Sequence, residues 1–198
     1  MPFHGFIREE DGWERVGGDA LLSTPYLEVE RVMVRTPTRS EPIPWTVVYR
    51  KAAVVVVPLT KDGRFAMVRQ ERVPVRASLW EFPAGQIDQA GAHGADVIRA
   101  AGLRELREES GLELGPGGDL VCLGHFFPSA GFTDEHSHLL LARPVVKSAG
   151  GSSPDAMEAI TECGFFTAAE LRAMVASGEV RDANSLSAFA RLCARGIL

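Results

Sequence analysis

The run Ala52-Ala-Val-Val-Val-Val-Pro58 carries no polar side chain. A strand on a half-wet sheet alternates apolar and polar residues, so a continuous apolar run of this length reads as a strand buried on both faces. Its neighbours supply the rest of a sheet. Lys61-Asp-Gly-Arg64 has the chemistry of a hairpin turn, since Asp-Gly tolerates positive φ, and Phe65-Ala-Met-Val-Arg-Gln70 is the return strand. Upstream, Leu27–Val34 has the period of two expected of a half-buried strand. Pro37, Pro42 and Pro44 then punctuate a turn ahead of a further strand over Trp45–Tyr49. Downstream, Leu120–Phe127 and His138–Ala142 resume the sheet.

Helices are expected between and after these strands. Thr167-Ala-Ala-Glu170 matches a capping box, and the helix it opens runs to a stop at Gly178. Asp182 or Asn184 caps the last helix, with Leu186, Phe189, Ala190 and Cys193 on one face. Mixed strands with one helix between them and others at the end predict an α/β sandwich.

Composition narrows the function. With 198 residues and 45% hydrophobic content, the chain is long enough for one good core plus an accessory segment. It contains no apolar run long enough to span a membrane, and its start, Met-Pro-Phe-His-Gly-Phe, lacks the regions of a signal peptide, so a cytoplasmic protein is expected. Cys122, Cys163 and Cys193 are odd in number and widely spaced, which reads as reduced, buried thiols rather than a disulfide framework or zinc site. A net charge of −5 argues against a general nucleic-acid binder, whose footprint is a basic stripe.

The chemistry concentrates in Arg104-Glu-Leu-Arg-Glu-Glu-Ser-Gly-Leu112. At ~3.6 residues per turn, Glu105, Glu108 and Glu109 project from one side of a helix, where like charges repel. A hard divalent cation would compensate them, because Mg²⁺ and Mn²⁺ prefer carboxylate and carbonyl oxygens. The alternative is a solvated acidic face paired locally with Arg104 and Arg107.

Glu81-Phe-Pro-Ala-Gly85, Asp96 and the run Arg104–Leu112 together resemble the Nudix box, the signature of the Nudix hydrolases: glycine, five residues, glutamate, seven residues, then Arg-Glu-U-x-Glu-Glu-x-Gly-U with U aliphatic. The second half fits at nine consecutive positions. Two departures stand in the first half. Aspartate replaces the first glutamate, and ten residues instead of five separate Gly85 from Asp96. The surplus around Gln89–Ala95 is small and glycine-rich and reads as an enlarged loop, an inexpensive change because closure entropy grows only logarithmically. Asp96 is expected near the helix start, where a carboxylate suits the positive end of the dipole and can cap free amides; its shortness weakens the expected pairing with Arg104.

Within that family the chain is most similar to the ADP-ribose pyrophosphatases. Their further marker, a proline sixteen residues beyond the box, falls on Pro128 counting from Leu112. The stretch through Trp45 and Arg50, the segment Val-Arg-Gln-Glu-Arg72 and the closing Ser-Gly-Glu-Val-Arg-Asp-Ala183 resemble the same subfamily. The resemblance implies a Nudix-type α/β/α sandwich with a mixed sheet over residues 51–198, preceded by a β-rich region over 1–50 that serves dimerisation and the substrate. It also implies a homodimer in which that region completes the partner's site. The implied reaction is metal-dependent hydrolysis of ADP-ribose to AMP and ribose 5-phosphate. The same chemistry on another nucleoside diphosphate sugar, or a nucleotide sensor without turnover, are the alternatives.

Site residues follow from the same resemblance. Glu105 and Glu109, assisted by Glu108 and the backbone carbonyl of Ala84, are expected to hold Mg²⁺, with Mn²⁺ possible. Arg50 and Arg72 have the planar forks that grip phosphate oxygens, though either could pair with surface acids. Glu135, in the loop Pro128–His136, is the expected base, with Asp134 next in line. Trp45 is a candidate to stack on adenine, or a core residue. His136 and His138 are expected to be ordinary polar positions rather than metal ligands.

Overall fold

The structure is a computed structural model describing residues 12–88, 94–152 and 159–198. The apolar run becomes β4 (Ala53–Thr60), and its side-chain alternation divides the core in two. Val55 and Val57 enter one cluster, while Val54 and Val56 enter another on the opposite face. All four valines are fully buried, and burying each contributes about 1.5 kcal/mol or more. This strand therefore requires a layer on either side.

Those layers are helical. α1 (Ala95–Ser110) supplies Ala101 and Leu106 to the cluster of Val54 and Val56. α2 (Ala168–Ser177) and α3 (Ala183–Ala194) supply Leu171, Met174, Ala188 and Leu192 to the cluster of Val55 and Val57. Between them lies a mixed sheet. β5 (Phe65–Arg72) returns antiparallel beside β4, and β9 (Ser137–Lys147) runs parallel on its other side. β10 (Ile160–Phe166) and β8 (Leu112–Phe126) take the outer positions, giving the order β10-β5-β4-β9-β8. Two short strands, β6 (Ala77–Glu81) on β5 and β7 (Ala84–Gln86) on β4, flank the turn Phe82-Pro83. The expected α/β/α sandwich is the architecture found. Among the described residues no helix is long and apolar enough to cross a membrane.

The N-terminal region forms a separate three-stranded antiparallel sheet of β1 (Glu14–Ser23), β2 (Leu27–Thr36) and β3 (Arg39–Arg50). Only Pro37 of the three prolines sits in the turn; Pro42 and Pro44 lie inside β3. An edge strand tolerates this, because a missing N–H on its outer side breaks no ladder bond. The end of β3 is tied to the loop ahead of β9: the Val48 amide donates to the Phe132 carbonyl at 2.8 Å, and the Arg50 amide to Asp134 at 2.9 Å.

Three local expectations need correcting. The thiols are free, but Cys122 and Cys193 are exposed, and only Cys163, half-buried, packs against the cluster of Val54 and Val56. In α3 the buried positions are Ser185, Ala188 and Leu192, one residue round from the expected stripe, so Leu186, Ala190 and Cys193 face outward. Asp96 lies in the first turn of α1, but the N-cap is Gly94 and no side chain caps the helix. Most of the expected loop extension, residues 89–93, lies outside the described residues.

Candidate active site

α1 presents its acids as its sequence spacing requires. Glu105 and Glu109 are each 2% exposed, Glu108 is half-buried, and Arg107 points outward. The helix stops at Gly111, whose φ of 66° is left-handed and whose amide returns to the Arg107 carbonyl. The carboxylate face packs against the turn between β6 and β7. Ala84 donates its amide to Glu109 Oε2 at 2.9 Å. Gly85 lies so close to Glu105 that a Cβ there would overlap the carboxylate, with Oε2 at 2.6 Å and the other carboxylate atoms nearer. This glycine is a matter of space, not of backbone conformation.

Arg104 binds the cluster together. It pairs with Glu105 at 2.6 Å and with Glu108 at 2.9 Å, and donates to the Gln86 carbonyl at 3.1 Å. Burial opposes its charge, but Glu105 and Glu108 outweigh burial and hold the guanidinium more firmly protonated than usual. With these partners, Arg104 makes its ion pairs within the box's own second half, not with Asp96. Ala84 meets the acids through its nitrogen.

The donor set fits a hard divalent cation. Two nearly inaccessible carboxylates one helical turn apart repel each other in a cradle walled by Gly85, and a bound cation relieves that repulsion. Arg104 now balances part of that charge. Among the described residues no three His, Cys, Asp or Glu side chains converge as a finished ligand cage.

A second acid-base assembly faces this one. Arg72 grips Glu81 in a fork, Nε to Oε1 at 2.8 Å and Nη2 to Oε2 at 2.6 Å. Glu81 is buried, and its hydrogen bonds strengthen the arginine's charge against the opposing effect of burial. Asp182 caps α3 by accepting from the Ser185 amide at 2.9 Å. Burial, reinforced by Glu81, pushes the Asp182 carboxyl up to about 6.

The loop ahead of β9 brings the third element. Glu135 pairs with Arg50 Nη1 at 3.1 Å. Burial raises the Glu135 carboxyl above the ordinary range, and the Arg50 charge opposes that rise. Asp134 instead accepts the Arg50 amide, a backbone tie that distinguishes the two neighbouring acids.

These groups meet around an open cleft of about 1100 Å³ lined by Arg50, Arg72, Ala84, Glu105 and Glu135 among others. Glu108, Glu109 and Trp45 are not among its lining residues. Trp45 is half-exposed on β3, where its Nε1 donates to the Gly131 carbonyl at 3.3 Å. It is therefore neither core nor wall of this cleft, and among the described residues the aromatic side chain on the cleft is Tyr26. His136 and His138 are buried, their ring centroids 5.3 Å apart. Glu81, Arg104, Arg181, Asp182 and Asn184 also line the cleft without having been singled out for it. Their signal was present, because Glu81 opens Glu-Phe-Pro-Ala-Gly and Asp182 closes the Ser-Gly-Glu-Val-Arg-Asp segment.

Comparison with known proteins bears on this arrangement. Residues 49–189 match the NUDIX domain family. The chain is 30% identical over 171 residues to the ADP-ribose pyrophosphatase of Mycobacterium tuberculosis (strain ATCC 25618 / H37Rv), covering 86% of this chain and 78% of that one. It is 35% identical over 109 residues to the methanol dehydrogenase activator of Bacillus methanolicus, covering 55% of each. It is 33% identical over 96 residues to the ADP-ribose pyrophosphatase of Bacillus subtilis (strain 168), covering 48% of each. The matches thus span about half the length of the two Bacillus relatives and most of the mycobacterial one. A solved structure described as an ADP compounds hydrolase superposes with a TM-score of 0.74 at 17% identity, covering 97% of this chain and 100% of that chain, a likeness of fold.

Proposed function

The chain belongs to the NUDIX domain family, and from that premise we propose that its cleft hydrolyses the diphosphate linkage of ADP-ribose, adding water to give AMP and ribose 5-phosphate. The convergence of Arg50, Arg72, Glu105 and Glu135 on one cleft carries this reading. A substrate with two negative phosphates needs cationic groups to bind it and a carboxylate to take a proton from water. Similarity to two ADP-ribose pyrophosphatases supports the choice of substrate.

Glu105 and Glu109, with Glu108 and the Ala84 carbonyl, would hold Mg²⁺, or Mn²⁺ in its stead. When bound, such an ion neutralises phosphate charge and lowers the pKa of water. Arg72, fixed in orientation by its fork on buried Glu81, offers its remaining exposed surface to phosphate oxygens. Arg50 can exchange Glu135 for a phosphate, since both partners are anions on the same cleft. That exchange releases Glu135 as the base. Its raised carboxyl pKa favours proton transfer near neutral pH better than an ordinary glutamate would. Asp134, committed to the Arg50 backbone, is the positioning partner.

The N-terminal sheet leaves Trp13, Leu21, Leu22, Tyr26 and Trp45 exposed, which supports a homodimer formed through residues 1–50, as in the subfamily the sequence resembles. Light scattering that gives a monomer mass would remove the dimer. Free thiols support a reducing, cytoplasmic location. The substrate is tested by a magnesium-supplemented assay across ADP-ribose, other nucleoside diphosphate sugars and dinucleotides, with products identified by chromatography. Preferred release of AMP from ADP-ribose is expected; faster turnover of another nucleotide sugar would reassign the substrate, and no turnover of any would favour a sensor.

A further inference from the structure

The turn Phe82–Gln86 carries the cradle's far wall, and its backbone groups are tied on three sides. The Pro83 carbonyl accepts from Val56 of the central strand at 2.8 Å. Ala84 donates to Glu109, and the Gln86 carbonyl accepts from Arg104, both on α1. The third tie comes from much farther along the chain. The Phe82 amide donates to Ser185 Oγ at 3.0 Å, across 103 residues of sequence. Phe82 is 1% exposed and Ser185 fully buried, so water has no access to replace this bond. Ser185 is itself held by Asp182 at the start of α3.

We infer that Ser185 is a positioning residue for the cation cradle: its hydroxyl fixes the Phe82 amide, which sets the turn that presents Ala84 to Glu109 and Gly85 to Glu105. The physical reason is economy of partners. Pro83 has no N–H, so Phe82 and Ala84 supply the successive amide anchors of the turn, one to α3 and one to α1. Without the hydroxyl, a buried amide loses its acceptor, and the turn must shift to find another. The shift is passed to Ala84 and Gly85, where Glu105 is already in contact with the glycine backbone. Supporting groups behind metal ligands act in this way by orientation.

The inference rests on the reading in which Glu105 and Glu109 hold the ion. Its test is Mn²⁺ binding to the metal-free full chain, followed by titration calorimetry or by the resonance of free Mn²⁺, in four variants. Ser185→Ala is expected to weaken binding about tenfold. Thr167→Ala removes the exposed capping hydrogen bond of α2, whose partner is Glu170 and not a residue of the turn, and is expected to leave binding unchanged. Ser185→Cys, which keeps the volume but offers a weaker acceptor, is read in the same way should Ser185→Ala not fold. Unchanged affinity in the Ser185 variants, or an equal loss in Thr167→Ala, overturns the inference. Glu109→Gln separates the two readings: if it binds Mn²⁺ as the wild type does, the ion assignment fails. If it loses the ion while the Ser185 variants do not, only the role of Ser185 fails.

Discussion

Gly85→Ala is a small change with a calculable consequence. A Cβ at this position would stand 2.6 Å from Glu105 Oε2 and closer to the other two carboxylate atoms. Ordinary contact needs about 3.4 Å, so the carboxylate must retreat by about 1 Å or more. It has little room to do so, being 2% exposed and paired with Arg104. Gly85 has no left-handed φ, so an alanine carries no backbone penalty and would otherwise stabilise the chain by about 0.4–1 kcal/mol. Crowding this buried carboxylate costs about 1–3 kcal/mol, which offsets that gain, so a modest loss of stability is expected beside a larger loss of activity. A displacement of about 1 Å in a group that positions the reaction costs about 100-fold in rate, near 2.7 kcal/mol of barrier. The assay is kcat and KM for magnesium-dependent hydrolysis of ADP-ribose beside thermal unfolding of the same samples. Glu105→Asp in the Gly85→Ala background shortens the acid by one methylene and should recover part of the loss, so the two changes will not add. Wild-type kcat in Gly85→Ala, with Tm unchanged, would refute the proposed function of this cradle.

Further outcomes follow from the charged pairs. Glu135→Gln should lower kcat by about 10²–10⁴-fold while leaving Mn²⁺ binding intact, and a full-rate variant would return the base role to another acid. Arg50 holds down the Glu135 carboxyl, so Arg50→Ala should move the acid limb of the pH–rate profile to higher pH; a limb that stays in place would dissociate Glu135 from it. Asp182 has a folded-state pKa of about 6, above its ordinary 3.8, so the folded protein takes up the proton first and its stabilising effect is lost as pH rises from about 4 through 6. That difference bounds the effect at about 3 kcal/mol. Asp182→Asn keeps an acceptor for the Ser185 amide and should raise Tm by a few degrees at pH 7.5 but not at pH 4, as measured by calorimetry; a lower Tm at pH 7.5 would show that the charge stabilises the cap.

The sequence was informative where one interaction dominates a segment. The valines of β4 have no stable place except between two layers, and Thr167 with Glu170 forms both halves of its capping box. It was silent where partners decide. β1 is exposed along almost its whole length and contains Gly17 and Gly18, so no alternation marks it; its strand character comes from pairing with β2. The buried face of α3 begins with Ser185, whose core position depends on an amide 103 residues away, and a hydropathy stripe therefore falls one residue off. In the site, residue types pointed to chemistry but not to present partners. Arg72 and Arg50 read as phosphate grips, yet they hold Glu81 and Glu135 across strands and loops whose proximity only folding creates. Trp45 read as a base-stacking residue; within one chain it stands against Gly131, while Tyr26 lines the cleft.

The decisive measurement is the rate of AMP release from ADP-ribose by the wild type and by Glu109→Gln, each titrated with Mg²⁺ from a metal-free start. Wild-type release that rises from background with added Mg²⁺, and a folded Glu109→Gln that stays near background throughout, is the expected pair of curves. Equal rates in the two proteins, or full wild-type turnover in the presence of excess chelator, would mean that the buried glutamates of α1 do not hold a catalytic ion.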